Sequence, residues 1–64
     1  MDCDWMFVSQ DRSRQAVTLP EPTLPQLGDG KSHGGKGYEV ILVVENRVAQ
    51  PNPLVLAFEF VHKP

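Results

Sequence analysis

Residues 38–45, Tyr38-Glu39-Val40-Ile41-Leu42-Val43-Val44-Glu45, and residues 54–61, Leu54-Val55-Leu56-Ala57-Phe58-Glu59-Phe60-Val61, decide the fold. Both runs are rich in β-branched and aromatic side chains, which suit the pleated surface of a strand. Residues two apart along a strand share a face. One face therefore carries Tyr38, Val40, Leu42 and Val44 with Leu54, Leu56, Phe58 and Phe60. Asn46 to Pro53 supplies Asn, Gln and two prolines, which is turn chemistry. The pattern predicts antiparallel strands over 38–46 and 54–62, joined as a hairpin. Its second face is apolar too at the centre, through Ile41, Val43, Val55 and Ala57. A strand with one solvated face alternates apolar with polar. These four residues are accordingly expected to be buried in a protein partner or a homo-oligomer, because so short a chain has little material left to cover them.

Working outward, residues 1–19 hold two apolar stretches, Trp5 to Val8 and Ala16 to Leu19, around the polar run Ser9 to Gln15. A helix needs apolar residues at steps of three and four, and none lies between Val8 and Ala16. Two strands at about 4–9 and 14–19 fit better. Residues 20–37 contain three prolines and five glycines. Proline lacks a donor and fixes φ, so this stretch is no helix interior or central strand. It reads as a long flexible connection, with Thr18-Leu19-Pro20 echoed in Thr23-Leu24-Pro25. The expectation is one all-β domain over 1–64, a small antiparallel sheet or partial β-sandwich of three to four strands. Its core would be Trp5, Phe7, Val17, Tyr38, Val40, Leu42, Val44, Leu56, Phe58 and Phe60.

Composition narrows the function classes. The chain has 64 residues and a net charge of −2, which disfavours an ordinary basic nucleic-acid binder and a polybasic membrane anchor. One cysteine makes no internal disulfide. No apolar run approaches the roughly 18 residues of a membrane span. Residues 1–10 are acidic at Asp2 and Asp4 and lack the basic start and apolar stretch of a secretory leader. The chain is thus expected to be either intracellular or a piece of a longer one, with its compartment undetermined.

Several motifs resemble chemistry without completing it. Gly28-Asp29-Gly30-Lys31-Ser32 resembles the end of a phosphate-binding loop, but Pro25 holds the place of the first glycine and no helix-forming run follows Ser32. Cys3, His33 and His62 share no metal-ligand spacing. Asp2 and Asp4 beside Cys3 raise a thiol pKa, so Cys3 reads as a packed free thiol. Pro22-Thr23-Leu24-Pro25 is a PxxP without an adjacent basic residue to orient it. No nucleophile elbow is evident, and the carboxylates Glu45 and Glu59, expected on facing strands, read as part of a solvated face, staggered and not directly opposed. No catalytic, cofactor-binding or metal residues are assigned.

Gly37-Tyr38-Glu39-Val40-Ile41-Leu42-Val43-Val44-Glu45-Asn46 resembles a strand of polycystic-kidney-disease (PKD) repeats, and Leu54–Val61 is similar in character to their closing strand. Asp4-Trp5-Met6-Phe7 resembles the start of their tryptophan segment, with Val8, Ser9 and Gln10 departing from it. The resemblance implies an immunoglobulin-like sandwich with Trp5, Tyr38, Leu42 and Phe58 in its core, and a role in adhesion, spacing or protein contact without catalysis. An extracellular location would follow for a fragment of such a protein. The functional expectation is a non-enzymatic protein-interaction module using Ile41, Val43, Val55 and Ala57. The alternatives are a small nucleic-acid-binding barrel built on the aromatics and a nucleotide-binding or catalytic protein built on Lys31.

Overall fold

A computed structural model describes residues 1–60. Five strands form one sheet: β1 (Asp2–Val8), β2 (Arg14–Pro20), β3 (Gly30–His33), β4 (Lys36–Val44) and β5 (Leu54–Glu59). Their spatial order is β2-β1-β5-β4-β3. β1 runs parallel to β5, whereas β1/β2, β3/β4 and β4/β5 are antiparallel. The fold is all-β, as the residue pattern predicts, with two corrections. There are five strands, not three or four, and the sheet is mixed.

The fifth strand is β3, inside the stretch expected to be a flexible connection. Gly34 and Gly35, both at positive φ, turn β3 directly into β4. Consecutive positive-φ residues make the tight hairpin turn whose twist matches that of the strands. Hairpins must be antiparallel, so the parallel β1/β5 pair requires the chain to cross over. Residues 21–29 make the first part of that excursion. Pro25 is buried there, and Gly28 and Asp29 exchange backbone hydrogen bonds with Val40.

Strand register assigns the faces. On the inner face, one row runs Val17–Trp5–Val55–Val43 and the next Gln15–Phe7–Ala57–Val40. Cys3, Trp5, Phe7, Tyr38, Val40, Val55 and Ala57 form the buried core, with Val17, Leu19 and Val43 packed against it. Trp5 stacks on Phe7 at 5.2 Å between centroids, and Phe7 stacks on His33 at 4.4 Å. Lys31 lies 5.2 Å from the Trp5 ring and is held by Glu21 at 2.8 Å. A partly exposed cation over an indole adds attraction of about 0.5–1 kcal/mol to the area that Trp5 buries.

Four of the ten expected core residues, Trp5, Phe7, Tyr38 and Val40, are fully buried, and Val17 packs on the edge of the cluster. Leu42, Phe58 and Phe60 are instead 41–47% exposed, and Val44 and Leu56 are half-buried. Two physical causes account for this. β4 carries an irregularity between Val40 and Leu42, with Ile41 left unpaired. One extra residue shifts the alternation by one and sends every later side chain to the opposite face. Val43 therefore turns inward and Leu42 outward. In β5 the inner positions lie between Trp5 and Phe7 of β1 on one side and Val40 and Val43 of β4 on the other. The inner positions there are taken by the small Val55 and Ala57, and the bulky Leu56 and Phe58 turn outward. The expected extension of the last strand to 62 lies partly outside the described residues, as do Val61 and His62.

Candidate interaction face

The outer face is built from three rows that the strand register aligns. The middle row is Ala16–Met6–Leu56–Leu42, apolar across four strands. Beside it run Thr18–Asp4–Leu54–Val44 on one side and Arg14–Val8–Phe58–Glu39 on the other. Ala16, Leu42 and Phe58 are exposed, and Met6, Val8, Leu54, Leu56 and Val44 are half-buried. Phe60 extends the apolar area: its ring lies over Gly37, so close that a Cβ there would stand 2.7 Å from the ring. Its backbone N–H donates to the Gly37 carbonyl at 3.2 Å. An aromatic ring covering a strand glycine compensates for its missing side chain.

A polar network bounds the face at one end. The Asp4 carboxylate accepts from Arg47 Nη1 at 2.8 Å, Thr18 Oγ1 at 2.9 Å and Asn52 Nδ2 at 3.1 Å. Arg47 also donates to the Asn52 carbonyl at 3.0 Å, and the Asp4 N–H donates to Pro53. These bonds fasten the β4–β5 connection to β1. Hydrogen bonds from Asn52, Arg47 and Thr18, in that order, hold the Asp4 carboxyl below the usual carboxylate range.

The four residues expected to meet a partner do not share a surface. Val55 and Ala57 are fully buried in the chain's own core, and Val43 is packed against it. Ile41 is 47% exposed at the bulge. The apolar face open to solvent is the opposite one, carried by Leu42, Phe58, Phe60, Leu56, Met6 and Ala16. The contributions of Met6 and Ala16 escape a reading confined to residues 38–61, because only the parallel β1/β5 pairing brings them beside Leu56.

The remaining chemical residues are placed as follows. Lys31 is engaged by Glu21 and Trp5 on the inner side of β3. Pro25 of the PxxP segment is buried, and Pro22, Pro25, Trp5 and Lys31 line a small cavity of about 90 Å³. The Trp5 indole N–H makes no hydrogen bond among the described residues. A larger hollow of about 340 Å³ at the β1–β2 turn is lined by residues including Ser9, Arg14, His33, Lys36 and Tyr38. Among the described residues no three His, Cys, Asp or Glu side chains gather as a metal site. Glu45 lies outside the strands and Glu59 pairs with Tyr38, so the two carboxylates do not face each other. No helix among the described residues is long and apolar enough to cross a membrane.

No family model matches this chain, and no curated protein or solved structure matches it either.

Proposed function

We propose that this is a non-enzymatic protein-contact module that buries the outer face of its sheet against a second copy of itself. The carrying observation is the row Ala16–Met6–Leu56–Leu42, an apolar band crossing four adjacent strands, with Leu42 exposed at 47% in it and Phe58 exposed at 41% in the row beside it. Singly exposed apolar residues are ordinary, whereas a contiguous apolar area on a small domain marks an interaction surface. Two sheet faces pack about 10 Å apart with their side chains interdigitated.

The area also bears on the occupant. Strands lie about 4.8 Å apart and alternate residues about 6.8 Å along them, so four strands by three rows cover about 400 Å². Two copies face to face would bury about 800 Å² in total, below the 1,200 Å² of a typical stable interface. The reading is therefore of a weak, concentration-dependent contact. The nucleic-acid alternative has less support. Trp5, Phe7 and Tyr38 are buried, and the exposed Phe58 lies beside Glu39. The adhesive or spacing role implied by the PKD resemblance belongs to the same non-catalytic class.

The test is sedimentation of the wild type and of Leu42→Lys with Phe58→Glu. Both side chains point away from the core, so the variant should keep its circular dichroism. The expected result is a lower associated mass in the variant across a dilution series. Equal mass in both proteins at every concentration would overturn the reading.

A further inference from the structure

We infer that the hollow where the two ends of the sheet approach each other binds a small tetrahedral oxyanion, phosphate or a phosphate monoester. It lies on the inner side of the sheet and is separate from the outer face.

β2 and β3 are the two ends of the strand order and do not pair with each other. They are brought together all the same. Glu21, just after β2, holds Lys31 of β3 at 2.8 Å. The Phe7 ring of β1 stacks on His33 of β3 at 4.4 Å, although β5 and β4 lie between these strands in the sheet. The sheet is thus curled, and its two ends meet around the core. At one end of this seam the Glu21–Lys31 pair spans the gap. At the other a hollow of about 340 Å³ stays open, with Ser13 to Gln15 on one side and His33, Gly34 and Lys36 on the other. Sites for small molecules start at about 300 Å³.

Several donors converge there. Ser9 and Tyr38 line the hollow most deeply, 9% and 3% exposed. Their hydroxyl oxygens are 3.5 Å apart, the long limit of a hydrogen bond. Two hydroxyls carry two protons, and a bond between them uses one. The other has no side-chain acceptor among the described residues, and an unpaired buried hydroxyl is costly. His33, held flat on Phe7, offers an imidazole N–H. Lys36 meets Glu59 only at 4.0 Å and is 51% exposed, so its ammonium can turn to a nearer anion. Arg14 borders the hollow at the first position of β2 and adds a second positive charge.

The neighbouring carboxylates stand back. Glu59 accepts the Gln10 N–H at 3.0 Å, and Asp11 accepts the N–H and the hydroxyl of Ser13 at 2.9 and 2.6 Å. Neither lines the hollow. Ser13 has given its proton to Asp11 and is not among the donors. A chain of net charge −2 therefore keeps one hollow with cations at its border and no acidic wall. Donors reach it from the end of β1, from β3 and from β4. A tetrahedral oxyanion accepts from all such directions, whereas a planar carboxylate accepts close to its plane. Bonds to an ionised acceptor are the stronger kind.

Nuclear magnetic resonance of the intact, isotope-labelled chain tests this. Inorganic phosphate, glycerol 3-phosphate and acetate are titrated separately, with ionic strength held constant by sodium chloride. Phosphate should shift the amides of Ser9, His33 and Lys36 saturably and leave those of Leu42 and Phe58 in place. Lys36→Gln and Tyr38→Phe each remove one donor and keep most of the side chain, so circular dichroism should be unchanged. Each should weaken binding about tenfold, the effect of one hydrogen bond to a charged group. Lys36→Arg should retain the affinity that Lys36→Gln loses. Tighter binding of glycerol 3-phosphate assigns the hollow to a monoester, and equal or weaker binding assigns it to the free ion. The absence of a saturable shift at about 50 mM phosphate, far above a millimolar Kd, would overturn the inference. Acetate binding as tightly as phosphate, or unchanged affinity in both Lys36→Gln and Tyr38→Phe, would do the same. The Leu42→Lys/Phe58→Glu protein should bind phosphate as the wild type does, so this inference and the outer-face contact fail separately.

Discussion

Cys3 shows what burial does to a single reactive group. Its side chain is fully enclosed on the inner face, opposite Leu19. Burial first, and the Glu21 carboxylate second, push its thiol pKa up, with Asp2 and Asp4 adding smaller contributions. The adjacent acidic residues are visible in the sequence, whereas the two larger causes depend on how the chain folds. A thiolate is the reactive form, so a raised pKa and zero exposure act together. Cys3 is expected to react with an aromatic disulfide reagent at least 100-fold more slowly in the folded protein than in denaturant, read by absorbance. Reaction at the denatured rate would contradict its place in the core.

At the scale of elements, two joints hold the sheet in its register. The first is the network around Asp4, which ties the β4–β5 connection to β1. Because the folded state depresses this carboxyl's pKa, ionised Asp4 stabilises the fold above the unfolded value of about 3.9, and that contribution is lost as pH falls through the folded value. Denaturant midpoints should hence drop below about pH 4, and Asp4→Asn should flatten the drop while lowering stability at neutral pH. An identical acid limb in Asp4→Asn would place the cause elsewhere. The second joint is the bulge at Ile41. Deleting Ile41 leaves Val40 inward, Leu42 outward and Val43 inward in regular alternation. Such a variant should stay folded with β4–β5 amides protected. Deleting Leu56 from β5, which has no residue to spare, shifts Ala57 out of the core and should unfold the protein. Equal tolerance of the two deletions would refute the role given to the bulge.

For the molecule as a whole, the proposed self-association would link stability to concentration. A 64-residue chain removes a modest fraction of its surface from water, so covering its outer face adds a large relative increment. Association by native chains alone raises apparent stability with concentration. Each tenfold increase contributes about 0.7 kcal/mol per chain for a pair, which for a domain of this size raises the melting temperature by about 3–6 °C. A melting temperature constant from micromolar to millimolar would show that the outer face stays wet. The aromatic groups divide along the same lines. Trp5, Phe7 and Tyr38 hold the monomer together, while Phe58 and Phe60 lie on the face available to a second chain.

The sequence by itself determined the strand chemistry of four segments, the hairpins β1/β2 and β4/β5, and the surplus of apolar residues that one small sheet cannot hide. Those properties are local: they follow from period-two alternation, proline and glycine placement, and β-branched content. Only the tertiary structure decided which face of each strand is inside. That choice depends on the one-residue offset at Ile41, on the limited space between the side chains of β1 and β4, and on the parallel β1/β5 pairing that sets Met6 beside Leu56. Contacts between residues some fifty positions apart leave no periodic trace in a chain. The open face was consequently readable as a quantity of apolar surface but not as a set of residues.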